Sequence, residues 1–375
     1  MPEDRYSASR EDMASNFPRY SAAALGFRNY WYPVALAREL RRKPLARTVL
    51  GERIAVFRDR GKLYALPNRC PHRGVPLSTG YREFPGTITC IYHGWTYDLA
   101  SGKLVAALTD GPDSPICGKV NLRPYPVEER AGLIWVYVGD GPAPPVETDI
   151  PAELLQPNTV IEGFSQVQRG NWRYAAENGI DEGHAKYLHR RHSLWTATRE
   201  MPAWTQIHMA PTEDGQWLAR MGDRVEFAAD YPGLGRWPKP PRFWQKRGRG
   251  AVRVGIKLPC WLLVQQRGWT GFEVYVPADE NHYLSILLGT CQATGLAAQT
   301  FRAKYRLWFR WVFHGQFNGQ DQWIIRQMEV PPERLYRPDV SITAWRKLCQ
   351  DDTRGEPQTR EHVARAVTPR LTVDI

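Results

Sequence analysis

Between Trp31 and Val138 the apolar positions fall in short runs, each ended within a few residues by Gly, Pro or Asp. Ile54–Phe57 and Lys62–Leu66 flank a turn at Arg60-Gly61, Trp95–Asp98 and Lys103–Val105 flank another at Ser101-Gly102, and Gly132–Val138 closes the set. Runs this short, joined by glycine-containing turns, predict the hairpins of a small all-β module. Gly141–Pro145, which reads Gly-Pro-Ala-Pro-Pro, then suits a linker.

Past the linker the periodicity changes. Tyr174–Leu188 has helical character, interrupted by Gly179 and Gly183. Leu258–Gln266, Phe272–Val276 and Tyr283–Leu288 read as strands. Phe301, Tyr305, Trp308, Phe309, Val312 and Phe313 recur at helical spacing and predict an amphipathic helix over Phe301–Phe317. Asp223–Arg253 is rich in Pro, Gly and Arg without periodicity and is expected to be loop. There is no internal repeat. The expected class is α+β: residues 1–30 form an N-terminal segment packing on the second domain, 31–145 the all-β module, and 146–375 a domain with an antiparallel sheet flanked by helices, helix-grip-like in arrangement.

Composition narrows the function. At 375 residues the chain has room for about two domains. No apolar run approaches the roughly 18 residues of a membrane span. The polar first residues lack an apolar core of the secretory kind. Six cysteines are too few for a disulfide scaffold, so the cytoplasm is the expected compartment. The net charge of +11 raises the question of nucleic acid, which requires basic residues gathered into a patch. Here they are spread along the chain, with small knots at Arg41-Arg42-Lys43, Arg190-Arg191 and Lys246–Arg249. No nucleic acid is therefore expected. A solvated surface accounts for most of this charge, and part of it suits attraction of an acidic partner protein.

Two constellations carry chemistry. The first is Cys70-Pro71-His72-Arg73-Gly74 with Cys90-Ile91-Tyr92-His93-Gly94-Trp95. Two thiolates on one iron and two imidazoles on the other are the ligands of a Rieske [2Fe–2S] centre, whose potential lies at roughly −150 to +300 mV because neutral His replaces anionic Cys. Structural zinc usually takes its cysteines as one pair and its histidines as another, whereas here each loop supplies one of each. Arg73 and Trp95 flank the ligands and suit packing or surface as well as a direct role. Cys117, Cys260, Cys291 and Cys349 lack ligand spacing and read as ordinary thiols. Respiratory and photosynthetic Rieske proteins carry an extra Cys in each loop, where this chain has Arg73-Gly74-Val75 and Ile91-Tyr92. Roughly 230 residues follow the module, more than an electron carrier needs.

The second is Asn171-Trp172-Arg173, then Glu177-Asn178-Gly179-Ile180-Asp181-Glu182-Gly183-His184 and His189. Histidines five apart can converge around one helical turn. Two imidazoles and one carboxylate on one side of Fe(II) leave the other side open for O2 and substrate. A His pair alone is weak evidence; after a Rieske module it gains force. The carboxylate must come from far along the chain, with Asp321 in Asn318–Trp323 preferred over Asp279, Glu280 and Glu329. His192, beside Arg190-Arg191, is the competitor for the second histidine and reads as surface.

With these residues in view, the chain resembles the terminal oxygenase α subunits of the Rieske non-haem iron ring-hydroxylating oxygenases. The likeness rests on Asn171-Trp172-Arg173, Glu177-Asn178-Gly179, Asp181, His184 and His189, and on Gln320-Asp321 followed by Arg326-Gln327-Met328. Leu25–Val34 and Ala344–Leu348 look like its homotrimeric branch of carbazole dioxygenases and oxoquinoline monooxygenases, although the second histidine falls one residue later than in the carbazole enzyme. The likeness covers most of residues 24–350 and lapses across about 195–255. It implies Cys70, His72, Cys90 and His93 as cluster ligands, and His184, His189 and Asp321 as ligands of a mononuclear Fe(II), with Asn178 near it. It implies a homotrimer in which Asp181 bridges His93 of one subunit to His184 of the next. It also implies O2 as co-substrate and NAD(P)H as indirect electron source, through a reductase and usually a ferredoxin. The expected reaction is hydroxylation of an aromatic or N-heteroaromatic compound by dioxygenation. The alternatives are a Rieske monooxygenase, hydroxylating an N-heterocycle or removing an O- or N-methyl group, and a cluster-only electron carrier.

Overall fold

The computed structural model describes residues 16–191, 204–226, 230–236, 253–328, 333–367 and 370–371. The chain divides into two compact units: one spans 23–150, 276–284 and 354–375, the other takes the residues up to 22, 151–275 and 285–353. The cut near 150 falls just past the proline-rich stretch. The C-terminal stretch from 354 groups with the first unit instead of running on with 146–353.

The first unit is built from short antiparallel hairpins. β1 (Tyr30–Leu36) pairs with β10 (Leu133–Val138), which pairs with β9 (Val127–Arg130). β2 (Leu45–Val49), β3 (Glu52–Asp59) and β4 (Lys62–Pro67) form a second meander, and β5 (Thr87–Thr89), β6 (Trp95–Asp98) and β7 (Leu104–Ala107) a third. Ala55, Phe57, Leu66, Leu77, Ile88, Tyr97 and Leu104 pack into one core that also takes in Cys70 and Cys90. The C-terminal stretch joins this unit through polar groups. Arg28, 5% exposed, donates to Glu52 at 2.8 Å, to Asp140 at 3.0 Å and to Gln358 at 2.7 Å, so a buried charge is fully partnered. Arg354 donates to Asp149 at 2.7 Å. β18 (Arg370–Leu371) pairs with β8 (Val120–Asn121).

The second unit carries a seven-stranded sheet in the order β11, β17, β16, β15, β14, β13, β12. Its strands are β11 (Thr159–Arg169), β12 (Trp204–Pro211), β13 (Leu218–Glu226), β14 (Arg253–Lys257), β15 (Trp261–Gln266), β16 (Trp269–Pro277) and β17 (His282–Gln292), with the pairs from β12 to β16 antiparallel. The segment expected as loop over Asp223–Arg253 holds the end of β13, a two-residue ladder between Asp230–Tyr231 and Gly235–Arg236, and the start of β14. The rest of it lies outside the described residues.

Two expected helices differ from their sequence reading. The segment Tyr174–Leu188 is α1 (Trp172–Ile180) and α2 (Glu182–Tyr187), broken at Asp181. Asp181 is extended (φ −66, ψ 129) and its carboxylate accepts from the amides of Gly183 and His184, so the residue that ends one helix caps the next. The expected helix Phe301–Phe317 is the end of α3 (Gly295–Lys304) and a π-helix (Tyr305–Phe317), followed by α4 (Asn318–Gln327). Along the π-helix Tyr305, Val312 and His314 are buried while Leu307, Trp308 and Trp311 are exposed. A wider turn rotates residues off the stripe that a 3.6-residue repeat would draw. α5 (Val340–Asp351) completes this unit, and α6 (Arg360–Val367) belongs to the first.

Candidate metal centres

The two Cys–His loops have the same backbone. The Cys70 amide donates to the Val75 carbonyl and the Gly74 amide to the Cys70 carbonyl, both at 2.8 Å. The Cys90 amide donates to Trp95 O at 2.8 Å and Gly94 N to Cys90 O at 3.1 Å. Each turn closes through a glycine of positive φ, +77° at Gly74 and +66° at Gly94, a conformation that costs other L-residues strain. At Gly94 an added Cβ would also come within 2.8 Å of the Leu108 side chain. The Ser78 amide donates to Asn68 Oδ1 at 2.8 Å and Thr109 Oγ1 to His93 O at 3.1 Å, fixing the loops' flanks.

This backbone buries the sulfurs and leaves the imidazoles outward. Cys70 and Cys90 are 2% and 3% exposed and none of the six cysteines is in a disulfide, whereas His72 is exposed and His93 half-buried. The His72 and His93 rings lie 4.5 Å apart, and His72 stacks on Trp95 at 4.8 Å. Burial pushes the Cys70 thiol up and Cys90 adds to this, while the Tyr97 hydroxyl 3.5 Å away and the His72 amide favour the thiolate. Desolvation and the positive neighbours His93 and Arg73 hold His72 below its ordinary value, which favours the neutral, ligating form. The donor set suits a cluster with buried sulfur ligands and outward imidazoles.

The second centre is assembled in the other unit from distant segments. α1 and α2 bring His184, the turn after α2 brings His189, and the first turn of α4 brings Asp321. One ligand atom from each lies within 4.8 Å of the others. His184 Nε2 is 3.3 Å and His189 Nε2 3.1 Å from the same oxygen, Asp321 Oδ1, which is buried without a hydrogen bond of sound geometry. A buried carboxylate oxygen aimed between two imidazole nitrogens is costly unless a cation completes it. Donor type and geometry fit Fe(II) held by two His and one carboxylate.

Each imidazole is oriented from behind. His184 Nδ1 is 3.3 Å from Asp181 Oδ2, and His189 Nδ1 is 3.0 Å from Gln320 Oε1. Phe317 stacks on His189 with ring centres 3.5 Å apart. Partners on the distal nitrogen fix tautomer and orientation. Burial opposes the charged form of His184, but Asp181 and Asp321 outweigh it and raise the group to about 9. Burial likewise opposes the Asp321 carboxylate, yet both histidines hold it well below the usual range. Beneath the site Glu177 of α1 meets buried Arg346 of α5 at 2.7 Å and the Tyr20 hydroxyl at 2.8 Å, and Arg220 pairs with Glu182 at 2.6 Å.

Other candidates fall elsewhere. Asp279 accepts from His282 at 3.0 Å and Glu280 pairs with Arg360 at 2.8 Å, both in the other unit. Glu329 and His192 lie outside the described residues. Asn178 is half-buried, its carbonyl accepting from the Asp181 amide at 3.3 Å and its side chain forming no hydrogen bond among the described residues. Sequence reasoning assigned no role to Gln320 or Phe317. Gln320 was visible only as the neighbour of Asp321 and Phe317 only as the end of the expected aromatic helix, and their contact with His189 becomes visible on folding.

A β module with Cys–His loops, joined in one chain to an α+β unit with a two-His-one-carboxylate centre, defines a Rieske-type non-haem iron oxygenase subunit. Residues 30–120 match the Rieske [2Fe-2S] domain, and residues 137–225 and 235–356 match the homotrimeric ring hydroxylase family. The chain is 36% identical to the carbazole 1,9a-dioxygenase terminal oxygenase component CarAa of a Sphingomonas species, over 91% of this chain and 96% of that one. It is 39% identical to a 4beta-methylsterol monooxygenase of Methylococcus capsulatus, over 88% of this chain and 91% of that one. Its fold is similar to that of the reduced oxygenase–ferredoxin complex of carbazole 1,9a-dioxygenase, with TM-score 0.82 and 30% identity over 94% of this chain and 95% of that one. The chain belongs to the homotrimeric ring hydroxylases, oxidoreductases that carry a Rieske cluster and a mononuclear iron.

Proposed function

We propose that this chain is the terminal oxygenase of an aromatic or N-heteroaromatic hydroxylation, working as a cytoplasmic homotrimer. Electrons pass from NAD(P)H through a reductase and a ferredoxin. The observation that carries this reading is the convergence of His184, His189 and Asp321 around one buried carboxylate oxygen. No helix among the described residues is long and apolar enough to cross a membrane.

In this reading Cys70, His72, Cys90 and His93 hold the cluster, and His184, His189 and Asp321 hold the iron, which together supply one-electron transfer and oxygen activation. The exposed edge of His72 leaves the cluster's imidazole side open to a donor protein. Asp181 and Gln320 hold the two imidazoles in the neutral tautomers that ligate through Nε2. Asp181 also reaches His93 of the neighbouring subunit and so couples the two centres. Phe317 covers one face of the His189 ring and keeps water from it. Asn178 stands near the iron.

Turnover under 18O2, with NADH, a surrogate reductase and ferredoxin and a panel of bicyclic and tricyclic arenes and N-heterocycles, tests the proposal by mass spectrometry. Two labelled oxygens in one product establish dioxygenation. The likeness to a sterol monooxygenase favours a second reading, monooxygenation, and one labelled oxygen would select it. Cluster reduction with no oxygenated product from any class of substrate would overturn both in favour of a cluster-only carrier.

A further inference from the structure

Behind the mononuclear site lies an acidic side chain that the ligand set does not use. Glu273, half-buried as a whole residue, is on β16 between the buried Phe272 and Val274. Its Oε1 accepts from Asn318 Nδ2 at 2.8 Å and its Oε2 accepts from the Tyr275 hydroxyl at 2.8 Å. Among the described residues no Arg, Lys or His pairs with it. Burial pushes its carboxyl up, and the charge of Asp321 pushes in the same direction. A carboxyl group in such surroundings is an expensive choice for packing alone, since an apolar residue of similar volume would avoid the desolvation cost.

Its two partners lie against the two segments that supply the ligands. Asn318, 6% exposed, precedes Asp321 by three residues on α4, so both project from the same side of the helix. Tyr275 stands against α1 at Gly179, where an added Cβ would come 2.3 Å from the Tyr275 hydroxyl oxygen. Gly179 lies two residues before Asp181 and five before His184. One carboxyl group thus holds α4 by a direct hydrogen bond and steadies the hydroxyl against which α1 closes.

We propose that Glu273, through Asn318 and Tyr275, is a positioning group that sets the spacing between the Asp321 helix and the His184 segment. This rests on the reading of His184, His189 and Asp321 as an iron site. Loss of the carboxyl group lets the two segments relax apart, and the chain then holds iron less tightly although every ligand is present. A role in packing alone would instead lower stability and leave iron affinity unchanged.

The test uses the purified full-length protein and its Glu273→Gln, Asn318→Ala and Tyr275→Phe variants. Mononuclear iron retained after a chelator challenge is measured by metal analysis, with the visible spectrum of the Rieske cluster as a control in the same sample. Melting of the apo-site protein reports stability. Asn318→Ala is expected to weaken iron binding by about 10- to 100-fold, the range for groups that support a ligand from behind, with full cluster content in each variant. Smaller losses are expected for Tyr275→Phe and for Glu273→Gln, whose amide can still accept from Asn318 and donate to the Tyr275 hydroxyl. If Glu273→Gln fails to fold, the other two variants carry the test. Iron retention equal to wild type in the folded variants, with only a lower melting temperature, would overturn the positioning role. Wild-type protein that retains no more mononuclear iron than Asp321→Ala would instead overturn the reading of the iron site, and this inference with it.

Discussion

The two centres are made in opposite ways. Each Cys–His loop is a closed local object: a cysteine amide bonded to a carbonyl five residues on, a glycine amide bonded back to the cysteine, and a histidine between them. The other site joins α2, the turn after it and α4, and its ligands are held by side chains rather than by their own backbone turns. In the first, backbone geometry does the holding and the imidazoles stay outward. In the second, a buried carboxylate between two imidazoles is stabilised by charge. A locally closed site tolerates change elsewhere, whereas an assembled one inherits every shift in the elements that carry it.

The sharpest way to break this comparison is to delete a ligand from either side. Asp321→Ala is expected to abolish mononuclear iron binding, a loss beyond the roughly 100-fold upper range for supporting residues, with the visible spectrum of the cluster unchanged. Cys90→Ser is expected to do the reverse, and metal analysis beside the visible spectrum reads both. Loss of both metals from either variant would show that the centres are not independently formed.

Asp181→Asn comes next. Asn caps a helix about as well as Asp: its single oxygen can still accept from one of the Gly183 and His184 amides, which Asp181 meets with separate oxygens, and both metals are expected to be retained. Coupled turnover is expected to fall by about 100-fold, since the charged partner behind His184 is gone. Full activity in this variant would remove Asp181 from the electron route.

A pH series separates the centres without mutation. In the metal-free site His184 is raised from 6.5 to about 9, so its stabilising contribution is complete below 6.5 and is lost as pH rises through about 9. Iron must displace that proton. Apparent affinity at the triad should therefore rise about tenfold per pH unit up to near 9 and then level, as titration with Fe(II) would show. A flat profile from 7 to 9 would mean that the triad does not hold His184 protonated.

The smallest effect belongs to the loops. Gly94→Ala is expected to cost about 1–2 kcal/mol from its left-handed backbone alone, with more from the Leu108 clash. Gly74→Ala, whose added Cβ would meet only the flexible Arg69 side chain at 3.3 Å, should cost less. Denaturant unfolding of the cluster-loaded protein checks the order.

How far each centre was legible follows from the same contrast. Cys70, His72, Cys90 and His93 could be picked out because their spacing is the chemistry: each pair falls within one turn, flanked by the glycine that closes it. His184 and His189 were visible as a pair, yet spacing left Asp279, Glu280 and Glu329 as rivals to Asp321. The structure pairs Asp279 and Glu280 elsewhere and brings Asp321 to the histidines. The helical repeat drawn through Phe301–Phe317 missed the π-helix, because a wider turn buries a different set of residues from the same sequence. Glu273 and Asn318 left no pattern, and Gln320 entered only as the neighbour of Asp321, since polar residues near a ligand are common and only contact gives them a role.

The sequence by itself determined what is local: the hairpins of the first module, the glycine turns that close its loops, and the donor types of both centres. These depend on backbone sterics and on neighbours a few residues away, which any stretch of chain carries with it. Tertiary structure alone decided which carboxylate faces the histidines, where the long aromatic helix changes its turn, and that the stretch from Arg354 packs with the first unit. Those outcomes are set by burial and charge pairing between segments far apart in the chain, and such interactions come into being only when the segments meet.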